Sequence, residues 1–128
     1  MRGRVVIIDD SLTVRMDLGE AFQEAGFDVV LCSNGQEARA VLAQQPPELI
    51  ILDVLLPDAD GVELLIEFRN TPATARTIIL LLSSEAEIKD RVRGLIQGAN
   101  EYVGKPYDTA YVVARANELL QLAAPPSA

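Results

Sequence analysis

ELIILDVLLPDADG, residues 48–61, is the stretch whose reading decides the fold. Leu49, Ile50, Ile51 and Leu52 form an unbroken apolar run, the pattern of a strand covered on both faces, as in a parallel sheet. Asp53 stands where that run meets a loop. Pro57 cannot continue a strand ladder, and Asp60 followed by Glu63 has the capping-box spacing of a helix start. Asp53 is therefore predicted at the carboxyl end of a central strand, the edge at which open α/β sheets bind ligands.

Toward the N-terminus, Arg4 to Ile8 is a short β-branched run that ends in Asp9-Asp10-Ser11. Ser11 is placed to cap a helix in which Val14, Leu18, Phe22 and Ala25 recur at helical spacing, and Gly26 closes it. Asp28 to Cys32 reads as a second strand. Asn34 and Glu37 open a second helix, with Ala38, Val41 and Leu42 inward, and Pro46-Pro47 breaks it. Beyond residue 61, Leu64, Leu65 and Phe68 mark a third helix, and Asn70 to Arg76 a polar loop. Thr77 to Leu82 is a fourth strand that ends at Ser83-Ser84. Ser84 with Glu87 starts a fourth helix, on which Ile88, Val92, Leu95 and Ile96 share one face, and Gly98 closes it. Glu101 to Val103 is a fifth strand that ends in Gly104-Lys105-Pro106. Asp108 caps a last helix bearing Val112, Ala116, Leu119 and Leu120. Strands alternating with helices over short connections favour parallel pairing and right-handed crossovers.

The 128 residues suit one domain, taken as 1–122, with 123–128 a tail or linker. At 49% apolar residues the chain can fill a core. Its apolar runs are far shorter than a membrane span and its start does not read as a signal peptide. The single cysteine, Cys32, cannot form an internal disulfide; it is read as a buried apolar residue in a reducing, cytoplasmic setting. The net charge of −8 repels a phosphate backbone, so direct nucleic-acid binding by this domain is not expected. The absence of histidine removes Ser-His and Cys-His nucleophile pairs and imidazole metal ligands.

What collects at the predicted edge is Asp9 and Asp10 from strand one, Asp53 from strand three, Ser83 from strand four and Lys105 from strand five. Two carboxylates about 4 Å apart repel by roughly 4 kcal/mol at an effective dielectric of 20. Three of them call for a cation or a raised pKa. Oxygen ligands favour a hard divalent ion, and Mg2+ accepts few carboxylates with several waters. With Mg2+ and Lys105 present the pocket can take a dianion. A phosphoryl group on Asp53 would meet the ion, the ammonium and the Ser83 hydroxyl, the parts that phosphoryl transfer requires.

From VVIIDDS through LDVLLPDADG and LLLSSE to NEYVGKPYD, the chain closely resembles the receiver domain of two-component response regulators. The resemblance implies a flavodoxin-like (βα)5 doubly wound sheet in the order 2-1-3-4-5, which periodicity does not supply. It implies Asp53 as phosphoacceptor, with Mg2+ bound by Asp10, by Asp9 partly through water, by Asp53 and by the backbone carbonyl of Leu55. Ser83 is then the switch hydroxyl, Tyr102 the switch aromatic and Lys105 the phosphate-binding lysine, with a cis Lys105-Pro106 bond. Partners implied are a histidine kinase or histidine phosphotransfer protein, an output domain or downstream protein, and a second copy. The second copy or partner meets the face of the fourth helix, fifth strand and last helix, which carries Lys89, Arg91, Arg93, Glu101 and Arg115. Such a domain is a signalling phosphoacceptor that assists its own phosphorylation and dephosphorylation rather than an enzyme. Departures from the usual pattern are Leu55 over the pocket mouth, Leu56 for Met, Ser83 for Thr and Ser84 for Ala.

A flavin- or nucleotide-binding domain of this fold needs an uncharged phosphate loop after strand one, which Asp9 and Asp10 oppose. A haloacid-dehalogenase-like phosphatase needs a second Asp where Leu55 stands. Asp58 and Asp60 are rival acceptors in the loop, Asp60 being committed to a helix start. The remaining alternative is a receiver fold that docks partners without phosphorylation.

Overall fold

The computed structural model describes residues 3–84 and 88–123, with the side chains of 88–91 left outside. The expectations for Glu87, Ile88, Lys89, Arg91 and tail residues 124–128 therefore lie outside the described residues. The elements in chain order are β1 (Arg4–Ile8), α1 (Leu12–Glu24), β2 (Asp28–Cys32), α2 (Gly35–Gln44), β3 (Leu49–Asp53), α3 (Gly61–Arg69), β4 (Ile78–Ser83), α4 (Ile88–Ile96), β5 (Glu101–Gly104) and α5 (Thr109–Ala123). The strands form one parallel sheet in the order β2-β1-β3-β4-β5.

Alternation along each strand divides the core in two. Val6, Ile8, Ile50, Leu52, Ile79, Leu81 and Tyr102 face the layer built with Ala38 and Leu42 of α2 and Val62, Leu65 and Phe68 of α3. Val5, Ile7, Leu49, Ile51, Leu80, Leu82 and Val103 face Leu18 and Phe22 of α1 and Val112, Ala116 and Leu119 of α5. Ile and Leu at these strand positions are fully buried, each contributing roughly 1.5–3 kcal/mol relative to exposure. The Phe22 and Phe27 rings meet edge to face at 5.2 Å. Gly26, at φ 97°, takes the left-handed turn that ends α1.

The helix starts follow the capping chemistry with one change. Ser11, Asn34, Asp60 and Asp108 accept from the backbone of Val14, Glu37, Val62 and Tyr111. Glu37, however, reaches back to the backbone N–H and hydroxyl of Ser33 rather than to Asn34. Strand β4 begins one residue later than the apolar pattern suggests, because Thr77 N–H closes a turn onto the Thr74 carbonyl. It extends to Ser83, which pairs with Gly104 of β5.

Helix α4 turns three of the apolar residues that share its face toward solvent. Val92, Leu95 and Ile96 are 46%, 38% and 74% exposed. The helix instead lies against the sheet through Gly94, where a Cβ would stand 2.6 Å from Leu81 Cδ1. Glycine lets the backbone approach, and the larger apolar groups turn outward.

Candidate functional site

The register aligns the site. Ile8 pairs with Leu52, so Asp9 emerges beside Asp53. Asp53 pairs with Leu82, which puts Ser83 one step further along the neighbouring strand. Ser83 pairs with Gly104, and Lys105 N–H donates to the Ser83 carbonyl at 2.7 Å. Four strand ends thus deliver Asp9, Asp53, Ser83 and Lys105 to one row.

Lys105 Nζ lies 2.8 Å from Asp9 Oδ2 and 3.4 Å from Asp53 Oδ2. Asp9 and Ser83 are buried and Asp53 is only 4% exposed, whereas Asp10 is exposed. The other Asp9 oxygen accepts from Ser11 N–H, and Arg15 donates to the Asp9 carbonyl. Asp53 Oδ1 accepts from Leu55 N–H at 3.2 Å. The Lys105–Pro106 peptide is cis.

The charges do not balance within the pocket. Burial, then the neighbouring Asp9, raises the Asp53 carboxyl from 3.8 to about 6. Burial pulls the Lys105 ammonium down, but Asp9 and Asp53 outweigh it and hold it above its usual value. Asp9 Oδ2 is paired in charge with Lys105 but not in good hydrogen-bond alignment. It is the one buried side-chain polar atom without a hydrogen-bond partner among the described residues. Asp9, Asp10 and Asp53 each offer a carboxylate oxygen, all within 4.8 Å of one another. An all-oxygen set, an orphaned buried lone pair and a carboxyl raised by burial and by Asp9 fit a hard divalent cation.

Tyr102 is buried, at 6% exposure, where its sequence position alone reads as half-buried. Helix α4 covers it: the Tyr102 ring lies beside Gly94, its Cδ2 3.6 Å from where a Cβ would stand. Asp58 and Asp60 are not drawn into the row. Asp60 caps α3 and pairs with Arg93 at 2.9 Å, and Asp58 binds the N-terminus of α2. Cys32 is buried at the end of β2 and burial pushes its thiol to about 11, so it is inert. Sequence reasoning passed over Arg15 on the Asp9 carbonyl and the attachment of Asp58, because neither partner is marked by any local pattern.

Residues 5–117 match the family model described as response regulator receiver domain, and the chain belongs to that family. It is 35% identical over 125 residues to the phosphate regulon transcriptional regulatory protein PhoB of Rhizobium meliloti (strain 1021), across 98% of this chain and 55% of that protein. The chain spans about half the length of the curated relatives it matches. The signal receiver domain of a signal transduction histidine kinase from Syntrophus aciditrophicus superposes with a TM-score of 0.87 at 29% identity, covering 98% of this chain and 96% of that one. The BeF3-activated DrrB receiver domain does so with a TM-score of 0.85 at 25% identity, covering 94% and 99%. The fold is flavodoxin-like, and the chain is a receiver domain of two-component signalling. Among the described residues no helix is long and apolar enough to cross a membrane.

Proposed function

We propose that Asp53 is the phosphoacceptor and that the donor is a phosphohistidine of a histidine kinase or histidine phosphotransfer protein, in another protein or in a domain outside this chain. The observation that carries this is Lys105 Nζ held between Asp9 and Asp53 over a buried carboxylate. A carboxylate oxygen of Asp53 attacks phosphorus in line, the P–N bond to the donor imidazole breaks, and the imidazole leaves with that electron pair. Lys105 leaves Asp53 for a phosphoryl oxygen, and the Ser83 hydroxyl donates to another. Asp9, Asp10, Asp53 and the Leu55 carbonyl would hold Mg2+, which would supply the positive charge that lets a dianion enter. The chain has no histidine, so the donor is not within it.

Output runs through α4, β5 and α5, where Val92, Ile96 and Tyr111 are exposed beside the Arg93–Asp60 and Arg115–Glu101 pairs. This surface suits a downstream protein, an output domain or a second copy. Residues 1–122 act as the receiver unit and 123–128 as tail or linker. The single cysteine fits a reducing, cytoplasmic setting, the net charge of −8 speaks against direct nucleic-acid contact, and the unit assists its own phosphorylation and dephosphorylation.

Incubation with acetyl phosphate or phosphoramidate and Mg2+ is expected to add one acid-labile phosphoryl group, read by intact mass, and Asp53→Asn to abolish it. Full labelling of Asp53→Asn moves the acceptor elsewhere. No labelling of the wild type leaves a docking module that works without phosphorylation.

A further inference from the structure

The loop between β3 and α3 carries Leu55 and is closed at its base by several backbone bonds. Gly61 N–H donates to the Val54 carbonyl at 2.7 Å and Leu56 N–H to the Ala59 carbonyl at 3.2 Å. Leu55 and Asp60 pair as an antiparallel bridge. The tip of the loop, Pro57-Asp58, is fastened differently. Both carboxylate oxygens of Asp58 are used on another element: Oδ1 accepts from Gly35 N–H at 2.8 Å and Oδ2 from Gln36 N–H at 3.0 Å. These are the first two residues of α2, 23 and 22 positions away. The two N–H groups hold the Asp58 carboxyl below its usual value, Gly35 first. The negative charge sits at the positive end of the helix dipole.

The fit around this attachment is close. A Cβ on Gly35 would lie 3.2 Å from Asp58 Oδ1, 3.3 Å from Ala59 Cβ and 3.3 Å from Leu64 Cδ1. Asn34 independently caps α2 through Glu37 N–H, so the helix start does not depend on Asp58 alone. The attachment therefore does more for the loop than for the helix.

We propose that Asp58 is a positioning residue for the metal site: by tying the tip of the β3–α3 loop to the N-terminus of α2, it fixes the loop backbone that carries the Leu55 carbonyl, and it links cation binding to the order of α2. This rests on the reading of Asp9, Asp10, Asp53 and the Leu55 carbonyl as the Mg2+ site. Groups that orient a ligand without touching the ion typically change metal affinity 10- to 100-fold. Asp58 is exposed, so the low end applies. Linkage is reciprocal: if the attachment favours the cation, the cation must favour the attachment, and the Gly35 and Gln36 amides report it.

The test is an NMR titration of the metal-free chain with Mg2+, together with amide exchange at Gly35 and Gln36. In the wild type, exchange at both amides is expected to slow on adding Mg2+. In Asp58→Ala, the Mg2+ Kd is expected to rise about tenfold and the slowing to disappear. Asp58→Asn keeps an acceptor oxygen and is expected to fall between the two. Asp58→Ala with wild-type Mg2+ affinity, whatever its urea midpoint, reduces Asp58 to a helix cap and overturns the proposal. So does exchange at Gly35 and Gln36 that ignores Mg2+ in the wild type. If the wild type binds no Mg2+ and Asp10→Asn changes nothing, it is the metal reading that fails, and that result is distinct from the other two.

Discussion

Tyr107 donates its hydroxyl to Asp17 Oδ2 at 2.8 Å, joining the β5–α5 connection to the middle of α1 across 90 residues of chain. The same oxygen takes the Thr109 hydroxyl at 2.8 Å. Burial, and then Asp17, push the Tyr107 phenol far above its ordinary range, so the phenol stays a donor at every physiological pH. Asp17→Ala strands two hydroxyls and is expected to cost about 1–3 kcal/mol. Tyr107→Phe removes one bond and leaves Thr109 on Asp17, at a cost of about 1 kcal/mol. Urea unfolding with unchanged m-values checks both; an Asp17→Ala midpoint equal to the wild type removes the clamp from the account.

The pH dependence of the metal-free protein follows from Asp53. Its carboxyl titrates near 6 when folded, against a usual value of 3.8. Between those values the folded state holds the extra proton, so stability falls as pH rises from about 4 through about 6. The loss is at most about 3 kcal/mol, two pKa units at about 1.4 kcal/mol each. Asp53→Asn has no such proton to lose and is expected to be more stable than the wild type at pH 7, in chelator. Because Mg2+ competes with that proton, its apparent affinity should rise up to about pH 6 and then level. A wild-type stability curve that is flat from pH 4 to 7, matching Asp53→Asn, contradicts the raised carboxyl.

Arg69 gathers two loops, α3–β4 and α4–β5, at the opposite end of the sheet. Its Nε donates to the Gly98 carbonyl, Nη1 to the carbonyls of Thr74, Ala75 and Thr77, and Nη2 to Asn100 Oδ1. Asn100 Oδ1 also accepts from Ile79 N–H. Arg69→Ala leaves part-buried carbonyls without donors and is expected to cost about 2–4 kcal/mol. Arg69→Lys should recover little, because a single ammonium cannot reproduce the fork. Thermal or urea unfolding of the pair decides; equal stability of the lysine variant and the wild type would show that charge alone suffices.

Ser83 sits buried beneath the pocket and Tyr102 beneath α4. A dianion on Asp53 would draw the Ser83 hydroxyl with a charge-assisted bond, about twice as strong as a neutral one. Ser83→Ala is expected to accept phosphate at Asp53 yet lose most of the coupling to the α4-β5-α5 face, a coupling of about 1–3 kcal/mol or roughly 5- to 150-fold in partner affinity. Partner affinity or self-association, with and without beryllofluoride, separates the two proteins. An equal response in both routes the signal elsewhere.

The strand ends were legible because each functional residue closes an apolar run: Asp9 after VVII, Asp53 after LIIL, Ser83 after a run of leucines. Periodicity left the strand order open, since alternating elements can be wound in several ways; the resemblance supplied it. The outward turn of Val92, Leu95 and Ile96 was not legible, because a glycine contact decides which face of α4 meets the sheet. Nor were Asp17 on Tyr107, Asp58 on Gly35 or Arg69 on Asn100. Each is a polar side chain whose partner lies 23 to 90 residues away, and hydropathy carries no record of such pairs.

Lys105 is the last of the four edge residues in the chain, and the β4–β5 register is what brings it to Asp9 and Asp53. During synthesis the two carboxylates are made long before the ammonium that offsets them. A sheet of β1, β3 and β4 alone would set Asp9 beside Asp53 with no ammonium to offset their repulsion, and Lys105 at the end of β5 supplies one. Addition of the final strand is thereby rewarded by charge as well as by apolar burial. A partly emerged chain has no complete pocket with which to accept a phosphoryl group, so the signal can be written only on a domain whose sheet is finished.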